Sequence, residues 1–133
     1  MIVFIRTHYT TLARLGLITA MISIVVLALL PLDKAPLPEV SDKLQHITAF
    51  LVLAFLIDAS TPEKSFNVWK VGCLMLYGLL IEWLQLQTDY RFFSLADLFA
   101  DLAGIALYIF TIPVWKRLPP LSWRWSLSQE LNT

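Results

Sequence analysis

Several things are scarce in this chain of 133 residues, and each scarcity closes a class of function. There is one cysteine, Cys73, so neither an intrachain disulfide nor a cysteine-based metal cluster is available. Set inside an apolar run, Cys73 reads as a small packing residue. Neither G-x-x-x-x-G-K-[ST] nor G-x-G-x-x-G occurs, and C-x-x-C is missing, which removes kinase, nucleotidase and thiol-redox readings. Charged residues make up only 15%, the formal net charge is zero and there is no basic run, so nucleic acid is not expected as a partner. Internal repeats and low-complexity segments are absent as well.

What fills the space is apolar. The chain is 58% hydrophobic with a mean hydropathy of +0.70, whereas a soluble domain is about half apolar and about a quarter charged. One domain over residues 1–133 is the natural count, and the excess apolarity points to a membrane. Four stretches, at about Leu12 to Leu32, Ser41 to Ala59, Val68 to Gln87 and Leu95 to Trp115, each approach the roughly 20 residues that cross about 30 Å of hydrocarbon. Helices are expected, because lipid offers no partner to open strand edges and period-two alternation is absent. The breaks "PLDKAPLPEVSDK", "DASTPEKSFN" and "LQTDYRFFS" hold the turn-forming residues.

Arg6 and Arg14 ahead of the first apolar run resemble a signal peptide's charged region. The run is too long for one and ends without a small-x-small cleavage pattern, so it reads as a retained first span. The segment 116–133, with Trp115, Trp123 and Trp125 beside Lys116, Arg117 and Arg124, suits the membrane surface. Basic residues set the orientation. Arg6, Arg14, Lys64, Lys70, Lys116, Arg117 and Arg124 fall on one side, against Lys34, Lys43 and Arg91 on the other. The positive-inside rule then places both termini of a multi-pass protein in the cytoplasm.

In that orientation "SDKLQH", "EWLQLQ" and "SLADLFAD" all reach the outer surface. His46, Glu82 and Asp101 lie at matching depth, roughly 7–9 Å below their helix ends at about 1.5 Å per residue. Spacing of three or four puts Asp42 with His46, Glu82 with Gln85, and Asp97 with Asp101 on common faces. Gly78 and Gly104 near those faces let neighbouring helices approach closely. Plainer roles stand beside each. Ser94 with Asp97 fits a helix-capping pattern; Asp42, Lys43 and His46 suit an interface; Arg91 suits a loop or a pair with Asp89. Tyr77, Trp83 and Tyr90 read as packing or interfacial aromatics. Glu82 and Asp101 are costlier, at about 2.5–3.5 kcal/mol per carboxylate in a span. They call either for an ion-pair network with Arg91 or His46, or for a functional site.

The order "DKLQH", then "YGLLIEWLQ", then "YRFFSLADLFADLAG" resembles the VanZ-like family, small polytopic bacterial membrane proteins named for a member associated with teicoplanin resistance. The resemblance covers about residues 41–108. It falls on Asp42, Lys43 and His46, on Glu82 and Gln85, on Arg91 and Ser94, and on Asp97, Asp101 and Gly104. Asp101 stands where that family usually shows Asn. The resemblance implies a role in the cell envelope and in glycopeptide tolerance.

The expectation is therefore an all-α bundle of four transmembrane helices with a polar pocket near the outer leaflet, binding or modifying a lipid or lipid-linked envelope substrate. Glu82, His46, Asp97 and Asp101 stand as the catalytic candidates, and Arg91, Gln85, Asp42, Lys43 and Ser94 as the substrate-binding ones. No cofactor is indicated. No metal is assigned either: sulfur ligands are missing, and the donors His46, Glu82, Asp97 and Asp101 suit harder ions than finger-type zinc. The alternative is a non-catalytic structural or partner-binding envelope factor whose polar cluster braces the bundle, favoured by the lack of a nucleophile near the cluster. Transport is weaker, since the first span offers only Thr19 and Ser23 for polarity between Arg14 and Asp33, and no broken-helix pattern appears.

Overall fold

A computed structural model of the chain describes residues 2–34 and 41–130, with side chains for 8–31, 33–34 and 41–126. The Arg6 side chain, the loop stretch 35–40 and the end of the tail, all used in the reading above, lie outside the described residues. Among the described residues the fold is all-α: α1 (Ile2–Ala28), α2 (Asp42–Ser60), α3 (Val68–Leu86), α4 (Leu95–Trp115) and α5 (Pro119–Glu130), with a 3-10 turn at Leu32–Lys34. Three of the four anticipated spans match to within a residue. The first differs, because α1 starts at Ile2 rather than near Leu12 and stops at Ala28 rather than Leu32. Pro31 explains the early stop: it lacks an N–H and disfavours helical backbone in the residue before it. The tail is not merely a surface segment but a fifth helix.

Local chemistry accounts for the helix starts. Asn67 accepts hydrogen bonds through its side chain from Trp69 N (3.1 Å) and Lys70 N (3.2 Å) at the head of α3. Ser94 Oγ accepts from Asp97 N (3.2 Å) at the head of α4, so the serine is the cap and Asp97 supplies only its backbone donor. At the far end of α1, two carbonyls left over by the helix terminus are taken by side chains. Gln85 Nε2 donates to Ala28 O (3.0 Å) and Tyr90 OH to Leu29 O (2.6 Å). Higher up, Tyr77 OH donates to Met21 O (2.6 Å). These bonds hold α1 to α3 and the loop that follows it.

α2 is the centre of the bundle, packed most extensively on α4 and then on α1. Gly104 explains the α2–α4 contact: a Cβ there would overlap the Ile47 carbonyl oxygen and lie 3.0 Å from Leu51 N, so backbone meets backbone. Phe50, Leu53, Ala54, Leu74, Tyr77, Ile81, Ile105 and Tyr108 form the apolar core. The outer surface is apolar too. Leu12, Leu15, Ile18, Ile22 and Val26 of α1 are exposed, as are Trp69, Phe99 and Phe110; a water-soluble monomer rarely shows so continuous an apolar exterior. Cys73 belongs to that exterior, exposed rather than packed as the sequence suggested. Among the described residues three helices are long and apolar enough to cross a membrane: α1 over His8–Ala28, α2 and α4. α3 is not among them; it matches α2 in length and carries Lys70, Glu82 and Gln85 within it.

Candidate functional site

At the end of the bundle where α2 and α4 begin and α3 finishes, side chains from all three helices and the α3–α4 loop come together. Each anticipated site residue has an identifiable partner. Lys43 Nζ of α2 pairs with Asp97 Oδ1 of α4. His46 Nδ1 lies 2.7 Å from Asp101 Oδ1, and its other ring nitrogen, Nε2, is 3.9 Å from Asp97 Oδ2. Arg91 NH1, from the loop, donates to Asp42 Oδ1 at 3.2 Å. Glu82, wholly buried at 0% exposure, accepts through Oε2 from Ser94 N at 2.9 Å. Gln85 is buried as well but turns toward α1, as described above.

Glu82 and Ser94 together form an unusual cap. In a capping box the acidic residue at the third helical position reaches back to the cap residue's own N–H. Here Ser94 caps Asp97 N, yet the Ser94 N–H is taken by Glu82 from the preceding helix. Asp97, relieved of that duty, is available to Lys43. A carboxylate from α3 thereby ties the start of α4 in place, and the α3–α4 loop is pinned at its far end by Glu82 on Ser94 and midway by Tyr90 on Leu29.

Three buried atoms in this cluster have no hydrogen-bond partner among the described residues: Glu82 Oε1, Arg91 Nε and Asp101 Oδ2. Asp101 Oδ2 faces Gly78, where an added Cβ would sit 2.6 Å from it, so the glycine makes room for the carboxylate. Beside the cluster a half-open pocket of about 100 Å³ is lined by polar Asp42, Gln45, His46, Gln85 and Arg91 and by apolar residues that include Ile24 and Phe50. Sites that enclose a small organic ligand usually measure about 300–1,000 Å³. The pocket is therefore too small to engulf a whole headgroup. It has room for a few waters or the end of a chain.

A second polar centre, at the opposite end, was missed by sequence reasoning. Asp58 of α2, 2% exposed, binds Lys70 Nζ of α3 through Oδ1 (2.7 Å). Through Oδ2 it binds Arg124 NH2 of α5 (2.8 Å) and Tyr108 OH of α4 (2.5 Å). Lys70 also donates to Lys64 O (2.7 Å), and Arg124 to Tyr9 OH of α1 (3.0 Å) while lying over the Trp125 ring. All five helices meet in this network. Lys70 and Arg124, counted above as flanking charges, are buried. A usable signal existed: Asp58 interrupts "FLVLAFLIDAS" as pointedly as Glu82 interrupts its own span. What could not be read was that cations from a loop edge and from the tail fold inward to meet it. In comparisons with models of known families, with characterised proteins and with solved structures, this chain matches none.

Proposed function

We propose that this chain is a non-catalytic cell-envelope factor whose polar clusters brace a membrane-embedded helix bundle and so present a defined surface to a partner. The observation that carries the reading is that the outer cluster spends its charges on joining helices. Lys43 with Asp97 and His46 with Asp101 join α2 to α4, Arg91 with Asp42 joins the loop to α2, and Glu82 with Ser94 joins α3 to the start of α4. Catalytic groups, by contrast, converge on a space for substrate, and the space here is small. No cysteine or uncommitted serine stands in the cluster to act as a nucleophile.

The same reading holds that α3 joins α1, α2 and α4 as a fourth span, with its ionisable groups turned inward. The termini then lie in the cytoplasm of a bacterium with an inner membrane, and the motif order is that of a VanZ-like protein. Supporting it are the apolar exterior and the inward burial of Glu82, Gln85 and Lys70, the arrangement by which intramembrane polar groups avoid lipid. A second reading, an outer-leaflet site for a lipid or lipid-linked envelope substrate with a part in glycopeptide tolerance, is favoured by one observation. The pocket's lining combines Arg91 and Gln85 with apolar Ile24, Leu27, Phe50 and Ile81, a mixture suited to the junction of an anionic headgroup and its chain.

Glu82→Gln separates the two. The variant keeps an acceptor for Ser94 N but removes its charge, and so weakens a hydrogen bond that is worth about 1.5–3 kcal/mol when the acceptor is charged. In purified protein the brace reading expects a lowered melting temperature with co-purified lipid unchanged by native mass spectrometry. Kept stability with altered lipid retention would reject the brace in favour of the lipid site.

A further inference from the structure

We propose that Asp42, His46 and Asp97 form a binding site for one divalent cation of the Mn²⁺ class. The inference concerns the cluster assigned above as a brace, and it adds a ligand to that role.

Four observations carry it. One ligand atom from each of Asp42, His46 and Asp97 lies within 4.8 Å of the others. Ligands on opposite sides of a small divalent cation stand about 4.4 Å apart at bond lengths of about 2.0–2.2 Å, so only a slight contraction is needed. Second, His46 is oriented as metal-binding histidines are. Its Nδ1 is held by the Asp101 carboxylate at 2.7 Å, while Nε2 faces Asp97 Oδ2 across 3.9 Å, too far for a hydrogen bond. Lys43 occupies Asp97 Oδ1, which leaves to an ion the oxygen that faces the imidazole.

Third, Glu82 Oε1, in the same cluster, is fully buried with no hydrogen-bond partner among the described residues. A buried carboxylate oxygen with no donor is costly, and a cation supplies what it lacks. Fourth, the charges do not balance. Among the described residues Asp42, Glu82, Asp97 and Asp101 share two permanently charged partners, Lys43 and Arg91, and one divalent ion offsets the remaining formal charge. Asp42 is at the rim, its side chain 29% exposed, and together with His46 it lines the pocket, which is the way in. Carboxylate oxygens with one imidazole and no thiolate suit Mn²⁺ better than Ca²⁺, which takes six to eight oxygens, or a sulfur-rich zinc site.

The test uses the full chain in detergent, stripped with EDTA, exchanged into clean buffer and titrated with MnCl₂ while the free-ion electron paramagnetic resonance signal is followed. One Mn²⁺ per chain is expected. Asp42→Asn and His46→Gln should each weaken binding at least ten-fold, with exposed Asp89→Asn unchanged as the control. Asp101→Asn, which holds His46 without touching the ion, should weaken it by about 10–100-fold. Asp42→Asn alters a partly exposed rim residue and leaves Arg91 an acceptor oxygen, and a melting midpoint close to the parent's shows that the variant is folded. Binding below one ion per chain, or Asp42→Asn binding as tightly as the parent, overturns the proposal. The brace is read separately, from melting temperature in EDTA. A Glu82→Gln loss of stability there without stoichiometric Mn²⁺ binding leaves the brace and rejects the metal. Ligand-dependent binding with no such loss does the reverse.

Discussion

Replacing Asp58 with Asn should be the most damaging conservative change in the chain. The carboxylate is 2% exposed and receives three partners: Lys70 at 2.7 Å, Arg124 at 2.8 Å and Tyr108 at 2.5 Å. Asn keeps the size and an acceptor oxygen but removes the charge, leaving two cations buried. Removing one member of a buried ion pair costs about 3–5 kcal/mol, because the other is left uncompensated. For a chain of this length about 1 kcal/mol moves the midpoint by roughly 3–5 °C, so thermal unfolding followed by far-ultraviolet circular dichroism in detergent should show a fall of about 10–20 °C. Arg124→Met in the same background removes one stranded cation. The double variant should therefore be more stable than additivity of the single losses allows, by about 0.5–3 kcal/mol. A loss under about 1 kcal/mol for Asp58→Asn, or simple additivity in the double variant, would refute the claim that this network fastens the five helices.

Two glycines make an internal comparison: Gly104→Ala forces a Cβ into the Ile47 backbone and should cost about 1–3 kcal/mol or more. Gly72→Ala meets nothing within 4 Å and should gain about 0.5–1 kcal/mol from helix propensity, both read from melting midpoints. Membrane placement is testable through the native thiol. In intact membranes exposed Cys73 should resist a charged maleimide and react after SDS, whereas ready labelling in membranes would take α3 out of the lipid. In a Cys73→Ser background, Asp89→Cys should label from outside intact cells and Lys116→Cys only after permeabilisation; the opposite pattern would invert the proposed orientation.

Much of the site was legible because helical spacing is strict. Residues three or four apart share a face, so Asp42 with His46 and Asp97 with Asp101 could be paired on their own helices from the sequence, and matching depth along the spans brought Glu82 to the same level. Gly104 and Gly78 were legible for a similar reason, since a missing side chain near a carboxylate marks a close approach. Who binds whom across helices was not legible. That Lys43 takes Asp97 while Asp101 takes His46 depends on the rotation of α2 against α4, which the Gly104 contact sets. That Glu82 caps α4 through the Ser94 N–H depends on how the eight-residue loop 87–94 turns back.

The sequence by itself determined the all-α class: long apolar runs without period-two alternation leave helices as the expected elements, and scarce cysteine and glycine motifs weigh against whole families of chemistry. Tertiary structure alone decided that a fifth helix folds back to bury Arg124 against Asp58, that Lys70 is interior, and that Cys73 faces out. Such outcomes rest on contacts between residues distant in the chain, as far as Tyr9 from Arg124. Local periodicity carries no information about those pairings, because it reports which face a residue occupies and not what lies opposite that face.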